Sequence, residues 1–289
     1  MNDIDKKVVL TTGCSSGFGM LTAARLSAKG YHVVATMRNL NKQGALVDEV
    51  KRRGGEITLF QLNVVDYDSI QNCMQKVAEK FGVLDVLVNN AGFGIFGFFE
   101  DLKEEEIRKQ METNFFGVQN VIKAALPLMR HAPNAKIINI SSASGFSGSP
   151  CMGAYNASKW ALEGFSESLR HELKFFDIDV LLIEPGTYKT KIFYENAKVA
   201  DRFNDETSPY YPMSMFLQRR VRDRVDDCHK DPEEVAELVE KLIKSKNPPF
   251  RNIPDVESKL HAVLRRVLPY RLYDYLTRKI IFKGFDPDK

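Results

Sequence analysis

The chain reads Thr12-Gly13-Cys14-Ser15-Ser16-Gly17-Phe18-Gly19 directly after its first apolar run. Residues 7–11 before this stretch are strand-like, and residues 20–29 after it have helical spacing and end at a glycine. Small residues between a strand and a helix allow a sharp turn, and the first amides of the helix then face an anion. The stretch therefore predicts a loop that binds the pyrophosphate of a dinucleotide.

Two features bear on what this loop can bind. The stretch lacks the Gly-Lys-Ser/Thr ending that positions a triphosphate, which argues against an ATP- or GTP-hydrolysing protein. A glycine-rich turn can also be a tight connection that binds nothing. Its position between a strand and a helix favours the phosphate-binding interpretation.

Apolar runs alternate with longer helical patterns along the chain up to Pro185. Strand-like runs cover residues 31–36, 57–62, 83–89, 136–141 and 180–184, and helical patterns cover residues 69–81, 104–130 and 155–175. Such alternation predicts an α/β fold, a Rossmann-like doubly wound parallel sheet with helices on both faces. Ligands of these sheets bind at the carboxyl ends of the strands, so the loops there form the candidate site.

The composition predicts one compact domain, residues 1–289, with a small-molecule ligand. The chain is 44% hydrophobic, and its formal net charge is only +3 with acids and bases interleaved, so a nucleic-acid partner is not expected. Its four cysteines form no metal-ligand pattern, and no metal site is expected. No apolar run approaches the length of a membrane span, and we expect reduced thiols and a cytoplasmic protein.

Beyond Pro185 the character of the sequence changes. Residues 187–228 mix aromatic residues and methionines with charges and prolines, which predicts a substrate lid suited to a large apolar molecule. The alternative is that these side chains only pack the segment onto the body. Residues 229–289 are expected to form a C-terminal helical extension, with a helix at 233–244 and a basic amphipathic stretch at 256–283. That stretch is expected to cap the core or cover the substrate entrance, and peripheral contact with anionic lipid is the less favoured alternative.

The residues after the second strand bear on the choice of dinucleotide. A site that prefers NAD usually carries Asp or Glu there, about 20 residues after the glycine loop, to bind the adenosine ribose. This chain has Arg38 instead, a permanent cation suited to a 2′-phosphate. The sequence therefore favours NADP(H) over NAD(H), with a merely solvated arginine as the alternative.

Tyr155 and Lys159 are four residues apart in a helical pattern, so their side chains lie on one face. A fixed ammonium beside a phenol favours the phenolate and would lower the pKa of the tyrosine, normally about 10, toward neutrality. Such a tyrosine can donate a proton to an alkoxide and accept one from an alcohol. The pair alone is common by chance, but Ser141-Ser142 and Asn89-Asn90-Ala91-Gly92 end two predicted strands and converge with it on the same sheet edge.

These motifs, in this order, closely resemble those of the short-chain dehydrogenase/reductase family. The shared pattern is Thr-Gly-x-x-x-Gly-x-Gly, Asn-Asn-Ala-Gly, a serine, and Tyr-x-x-x-Lys, and it covers residues 6 to about 190. The resemblance implies an NAD(P)-dependent oxidoreductase that moves a hydride between nicotinamide and a carbonyl or secondary alcohol. Within the family, the chain is similar to the steroid and retinoid dehydrogenase branch. The resemblance also implies a homodimer or tetramer paired through the helices at 104–130 and 155–175.

The resemblance assigns roles to the catalytic candidates. Tyr155 would be the acid/base, and Lys159 would lower its pKa and bind the nicotinamide ribose. Ser142, thirteen residues before the tyrosine, would orient the substrate carbonyl, with Ser141 as the alternative. Asn114 would interrupt its helix and hold a water that relays protons from Lys159, and a plain buried asparagine in a helix kink is its alternative.

The resemblance also implies the cofactor contacts. The adenine would be bound by Asn63-Val64, where the family usually has Asp-Val, which puts the affinity for adenine in doubt more than the identity of the site. The nicotinamide carboxamide would contact the loop of Pro185, Gly186 and Thr190, with Thr187 as a possible substitute. The remaining expected contacts are Gly13, Ser15, Ser16, Gly17, Phe18, Gly19, Arg38, Asn90, Ala91, Gly92, Tyr155 and Lys159.

Two rival functions are compatible with related folds. A dinucleotide-binding sensor or scaffold without turnover is the main alternative, but the complete set of four catalytic candidates argues against it. A sugar-nucleotide epimerase also uses Tyr-x-x-x-Lys, yet the spacing of the loop glycines and the Asn-Asn-Ala-Gly turn disfavour it. Catalytic oxidoreduction is therefore the favoured expectation.

Overall fold

The structure, a computed structural model, describes residues 6–190 and 197–286. Its strands are β1 (Val8–Thr11), β2 (His32–Met37), β3 (Ile57–Gln61), β4 (Val86–Asn89), β5 (Gly94–Phe96), β6 (Ala135–Ile140), β7 (Ile178–Ile183), β8 (Ala197–Val199) and β9 (Arg251–Asn252). Seven of them form one parallel sheet in the order β3-β2-β1-β4-β6-β7-β9, and β5 pairs with β8.

Helices cover both faces of this sheet. They are α1 (Gly17–Ala28), α2 (Gly44–Arg52), α3 (Tyr67–Phe81), α4 (Glu104–Met111), α5 (Gly117–Met129), α6 (Gly153–Leu173), α7 (Tyr211–Asp226), α8 (Glu233–Lys244), α9 (Val256–Val267) and α10 (Tyr270–Ile281). Between α4 and α5 the chain stays helical through a wider π turn at Glu112–Phe116. The Rossmann-like doubly wound sheet predicted from the alternation is confirmed.

The sheet is buried on both faces because its central strands are apolar along their whole length. In β1, Val8 and Leu10 pack into one core layer with α3, α5 and α6. Val9 points the other way and packs with α1, α2 and α8. A parallel sheet that is covered on both faces needs such continuous apolar runs, which is why these strands show no polar alternation.

The order of the strands reverses beside β1. The chain passes from β1 to β2 and β3 on one side, and from β4 onward it builds the other side. The loops that leave β1 and β4 therefore diverge and open a crevice at the carboxyl ends of the strands. The loops that carry the predicted site residues meet at this crevice.

Strand β9 shows why some elements escaped the prediction. It has only two residues, so no periodicity can be read from it. It is a strand because Leu182 pairs with Arg251 and Ile183 pairs with Asn252. The Asn252 side chain adds a hydrogen bond of 3.0 Å to the carbonyl of Leu182. Pairing with β7, rather than a local preference, defines this edge.

The segment predicted as a lid is described except for residues 191–196, which lie outside the described residues. Strand β8 and helix α7 belong to it. Its Phe203 and Leu217 pack into an apolar cluster with the body, and its Tyr188 is fully buried. For these three side chains the packing alternative applies.

The described part of the C-terminal extension, residues 229–286, contains three helices. Helix α8 confirms the prediction for residues 233–244. The basic amphipathic stretch is divided into α9 and α10 at Leu268, because a proline disfavours the helical conformation of the residue before it, and Pro269 follows. None of the described helices is long and apolar enough to cross a membrane.

Candidate active site

The loop between β1 and α1 depends on its glycines. Gly13 has φ +74° and Gly17 has φ +57°, in the left-handed region that favours glycine. A Cβ on Gly13 would lie 2.8 Å from the Cα of Ala91, and a Cβ on Gly19 would overlap the side chain of Asn90. The glycines therefore allow the loop after β1 to approach the loop after β4.

The amino end of α1 can receive an anion. Ser16 stands at the N-cap position, but its side chain makes no capping hydrogen bond, and the first turn contains no acidic residue. The amides of this turn lie at the positive end of a helix of 12 residues. Ser15 and Phe18 are half-buried beside them. These residues fit the pyrophosphate of a dinucleotide.

Thr12 ties the two loops together, a role that the sequence analysis missed. Its hydroxyl oxygen accepts hydrogen bonds of 3.0 Å from the amides of both Asn90 and Ala91. The Asn90 side chain donates in return to the carbonyls of Thr12, at 2.9 Å, and Gly13, at 3.2 Å. The threonine stands in the loop motif itself, but local sequence does not say which distant loop its hydroxyl bonds.

The residues predicted for the adenosine end follow β2 and β3, which are neighbours in the sheet. Arg38 is exposed just after β2, and its carbonyl accepts from Gln61 at 3.1 Å. Asn63 is half-buried. Val64 is buried against Gly117, where an added Cβ would lie 2.8 Å from Val64 Cγ2. The structure thus brings these residues to the same side of the crevice.

The predicted catalytic side chains meet at the start of α6. The Ser142 hydroxyl is close enough to the Tyr155 phenol to lower its pKa. Lys159, one helical turn after the tyrosine, lies with Nζ 5.7 Å from the centre of the Tyr155 ring and donates to the carbonyl of Ile140 at 2.8 Å. Both Tyr155 and Lys159 are buried. The arrangement presents one phenol and one serine hydroxyl to the crevice.

The structure separates the two candidate serines. Ser141 is buried, and its hydroxyl donates to Glu163 Oε1 at 2.7 Å. Ser142 is only half-buried, accepts from the amide of Ser144 at 3.1 Å and lies beside Tyr155. The geometry therefore supports Ser142 rather than Ser141 as the serine that meets substrate.

Asn114 lies in the π turn between α4 and α5, as expected for a residue that interrupts its helix. Its Oδ1 accepts from the amide of Phe93 at 3.2 Å, and its Nδ2 donates to the Phe93 carbonyl at 2.9 Å and to Ser158 Oγ at 3.2 Å. The side chain thus holds the loop after β4 against α6. The water relay from Lys159 stays a prediction.

The loop after β7 is held by the C-terminal extension. The amide of Gly186 donates to Asp255 Oδ2 at 3.0 Å, and a Cβ on Gly186 would overlap the hydroxyl of Ser258. Thr190 faces the phosphate loop: a Cβ added to Gly17 would lie 3.8 Å from the Cβ of Thr190. These contacts favour Thr190 over Thr187 as the residue of this loop that reaches the crevice.

Comparison with known proteins identifies the family. The model of the family described as short chain dehydrogenase matches residues 7–200. The chain belongs to this family. It is accordingly a dinucleotide-dependent oxidoreductase that acts on alcohol or keto groups.

This short-chain dehydrogenase is similar to its relatives along almost its whole length. It is 36% identical over 276 residues to the 3-ketodihydrosphingosine reductase of Bacteroides thetaiotaomicron, which covers 94% of this chain and 97% of the relative. It is 33% identical over 286 residues to retinol dehydrogenase 8 of Homo sapiens, and the match covers 96% of this chain and 91% of the relative. A short-chain dehydrogenase structure from Streptomyces avermitilis matches it with a TM-score of 0.77 at 31% identity, over 98% of this chain and 100% of that one.

Both nicotinamide dinucleotides occur among structures similar to this dehydrogenase. A relative from Burkholderia phymatum in complex with NAD has a TM-score of 0.78 at 25% identity, over 92% of this chain and 95% of that one. A metagenomic relative in complex with NADP has a TM-score of 0.67 at 27% identity, over 86% and 98%. The cofactor class of this family is thus the nicotinamide dinucleotides, NAD or NADP.

Burial dominates the protonation of the catalytic pair in this dehydrogenase. It raises the pKa of Tyr155, and the neighbouring Ser142 hydroxyl opposes the rise. It lowers the pKa of Lys159 to about 8, and the nearby Glu163 carboxylate opposes the fall. The Lys159 ammonium donates to the carbonyl of Ile140 and not to the phenol. The expected lowering of the Tyr155 pKa by Lys159 therefore stays a prediction.

An ionic group behind the site, in which one arginine bonds two buried acids, escaped the sequence analysis. Arg251 Nη1 lies 2.6 Å from Glu163 Oε2 and 2.7 Å from Glu184 Oε1. Burial and the neighbouring Glu163 raise the pKa of Glu184 to about 7, whereas Arg251 lowers it. Residues 141–147, which follow β6, are called the serine loop. Since Glu163 also accepts from Ser141, the ionic group joins α6, β7 and β9 behind this loop. Glu163 and Glu184 are 88 and 67 residues from Arg251 in the chain, so no spacing in the sequence reveals the group.

Proposed function

We propose that the protein moves a hydride between NADP(H) and the carbonyl or secondary alcohol of a bulky apolar molecule, with Tyr155 as the acid/base. The observation that carries this proposal is the meeting of Tyr155 and Ser142 at the crevice, with Lys159 Nζ 5.7 Å from the centre of the tyrosine ring. A sensor without turnover is not favoured, because the catalytic groups are present and lie together.

In the proposed mechanism the chain orients the substrate and handles the proton. When bound, the reduced nicotinamide supplies the hydride. Ser142 and Tyr155 hydrogen-bond the carbonyl oxygen, and Tyr155 donates its proton as negative charge develops there. The raised pKa keeps the phenol protonated at neutral pH, so reduction begins from the required protonation state. Lys159, with a pKa of about 8, is the adjacent group able to exchange a proton near neutrality.

The substrate proposal rests on the segment at 187–228, which we propose acts as a lid within one catalytic domain. Its cluster with the body contains partly buried Met213, Met215 and Phe216, and these flexible or flat side chains can adapt to an apolar surface. The names of two relatives denote lipid substrates, retinol and 3-ketodihydrosphingosine. Both observations support a long or bulky apolar carbonyl compound.

Three cations support the preference for NADP(H). Lys198 stands on β8, and its pKa is lowered first by Lys109, then by burial, and also by Arg38. Like charges depress the pKa of a lysine only when they lie close together. A 2′-phosphate beside Arg38 would relieve this repulsion, and an uncharged ribose hydroxyl would not.

Replacing Arg38 with aspartate is expected to reverse the cofactor preference. The Arg38→Asp variant should bind NADPH at least about tenfold more weakly while its affinity for NADH changes little, because the carboxylate repels the extra phosphate. Fluorescence titration with both dinucleotides measures the effect, and Arg52→Asp on the outer surface of α2 is the matched control. Equal losses for both dinucleotides would mean that Arg38 does not bind the 2′-phosphate.

For assembly we propose a homodimer or tetramer paired through α4, α5 and α6. The exposed aromatic side chains on these elements support it. Phe116 is 44% exposed in the π turn, and Trp160 is 46% exposed on α6. Aromatic residues are enriched in the buried centres of protein interfaces.

The function is tested by cofactor titration followed by turnover. We expect NADPH to bind more tightly than NADH, and we expect the NADPH complex to be oxidised by bulky apolar ketones or aldehydes faster than by small polar ones. Absorbance of the reduced nicotinamide follows the reaction. Binding without turnover across retinoid, steroid and long-chain carbonyl compounds would contradict the catalytic proposal.

A further inference from the structure

The C-terminal helices expose an unusual share of the large apolar side chains of this protein. Of the nineteen large hydrophobic residues that are exposed within the described chain, ten lie between residues 256 and 280. They are Val256, Leu260, Val263, Leu264, Val267, Tyr270, Leu272, Tyr275, Leu276 and Ile280. We call this set the C-terminal apolar surface.

Helix α9 is oriented with its apolar face away from the protein. At 100° per residue, its five exposed apolar residues fall within about one third of the helix circumference. Ser258 is buried, and His261 and Arg265 are half-buried on the opposite side. A helix that only caps the core would present these faces the other way round.

Polar contacts on the inner sides hold α9 and α10 to the serine loop. Arg265 donates to the carbonyl of Phe146 at 3.0 Å. The Tyr273 hydroxyl lies 2.7 Å from the hydroxyl of Ser147 and 2.8 Å from Nε2 of His261. The helices are therefore fixed in place without using the C-terminal apolar surface, which stays available to a partner.

The charge of this region indicates the kind of partner. Residues 256–286 contain seven lysines and arginines and three acids, although the whole chain has a formal net charge of only +3. The exposed cations Lys259 and Arg266 lie along one edge of the apolar face of α9, and Arg271 and Lys279 lie on the exposed side of α10. The apolar surface thus has cations beside it on both helices.

We propose that the C-terminal apolar surface docks on an anionic lipid bilayer. The apolar side chains enter the boundary between headgroups and acyl chains, and the flanking cations meet lipid phosphates and carboxylates. A second copy of the chain is the less suitable occupant, because a two-fold contact would place these cations against each other. Docking would also place the serine loop near the bilayer, where apolar substrates dissolve, and this last consequence rests on the proposed function.

Vesicle binding tests the proposal on the full-length protein. Sedimentation with vesicles of phosphatidylcholine and phosphatidylserine should retain the protein, and vesicles of phosphatidylcholine alone should retain less. The double variant Val263→Glu, Val267→Glu should bind at least about tenfold more weakly, because two carboxylates replace apolar contacts and repel the anionic surface. Phe99→Glu with Phe175→Glu is the matched control, since both side chains are exposed on other parts of the protein, and its binding should equal that of the wild type.

The outcomes separate the possible occupants. Loss of vesicle binding in the α9 variant alone supports docking on lipid. Absence of binding by the wild type, or equal binding by all three proteins, overturns it. A change in the oligomeric state of the α9 variant without any vesicle binding would assign the surface to a second copy instead, which also overturns it. Turnover of a water-soluble carbonyl compound without vesicles reports on the catalytic proposal independently.

Discussion

Tyr155→Phe is expected to lower kcat by about a thousandfold while dinucleotide binding stays almost unchanged. The substitution removes one hydroxyl, the group that lies beside Ser142 and would donate the proton to the carbonyl oxygen. The ring remains, so its packing at the start of α6 is kept. Single-turnover oxidation of bound NADPH, with a separate fluorescence titration of cofactor affinity, distinguishes lost chemistry from lost binding.

Tyr31→Phe is the control for this variant. Tyr31 directly precedes β2, so it lies at the amino-terminal edge of the sheet, opposite the crevice. Its variant should turn over like the wild type. Wild-type turnover by Tyr155→Phe would eliminate the tyrosine as the acid/base, and a parallel loss of cofactor affinity would show that the phenol matters for binding instead.

Arg251→Met is expected to have the largest effect on stability, a loss of about 3 kcal/mol in the free energy of unfolding. The arginine is the cation that Glu163 and Glu184 share, and their side chains are only 5% and 2% exposed. Removing it leaves two carboxyl groups in a site with little access to water, and one of the lost contacts anchors β9 to the sheet edge. Urea unfolding monitored by circular dichroism measures the change.

The loss of stability in Arg251→Met should be greater at high pH than at low pH. The pKa of Glu184 in the folded protein, about 7, lies above its usual value of 4.5, so the folded state favours the protonated carboxyl. Its stabilising contribution is full below the unfolded pKa and is lost as the pH rises through about 7. Arg251 lowers this pKa, so without it the carboxyl resists ionisation further, and the cost of the variant should be greater at pH 8 than at pH 5.

An exposed ion pair gives the matched control for this measurement. Arg108 and Glu104 on α4 have side chains that are 77% and 73% exposed. Solvent screens such a pair, so Arg108→Met should cost less than about 0.5 kcal/mol. Equal losses in the two variants would show that burial of the acids behind the site does not set the stability.

The phosphate loop and the catalytic helix were predictable because their requirements are local. A sharp strand-to-helix turn needs small residues wherever it occurs, and Gly13 and Gly17 adopt the positive φ that this turn requires. A four-residue spacing places Tyr155 and Lys159 on one helix face whatever surrounds them. Ligands of parallel sheets bind at the carboxyl ends of the strands, so these local patterns also predict where the residues meet.

The behaviour of the same residues was less predictable, because it depends on partners that are distant in the chain. The geometry favours Ser142 over Ser141 because the Ser141 hydroxyl bonds Glu163, 22 residues away in the chain. Burial raises the pKa of Tyr155, and Lys159 donates to the carbonyl of Ile140. The four-residue spacing of the pair carries no information on either.

The sheet, the crevice and the chemical identity of the groups in it could be predicted from the residues, since periodicity and backbone conformation are properties of short stretches of chain. Which groups touch depends on the folding of the whole chain. The tertiary structure joined Thr12 to the loop after β4, placed Arg251 between two buried acids, and turned the apolar face of α9 outward. Amphipathic spacing shows that a helix has an apolar side, but the side that faces solvent is set by contacts such as that of Arg265 with Phe146, made between residues 119 positions apart.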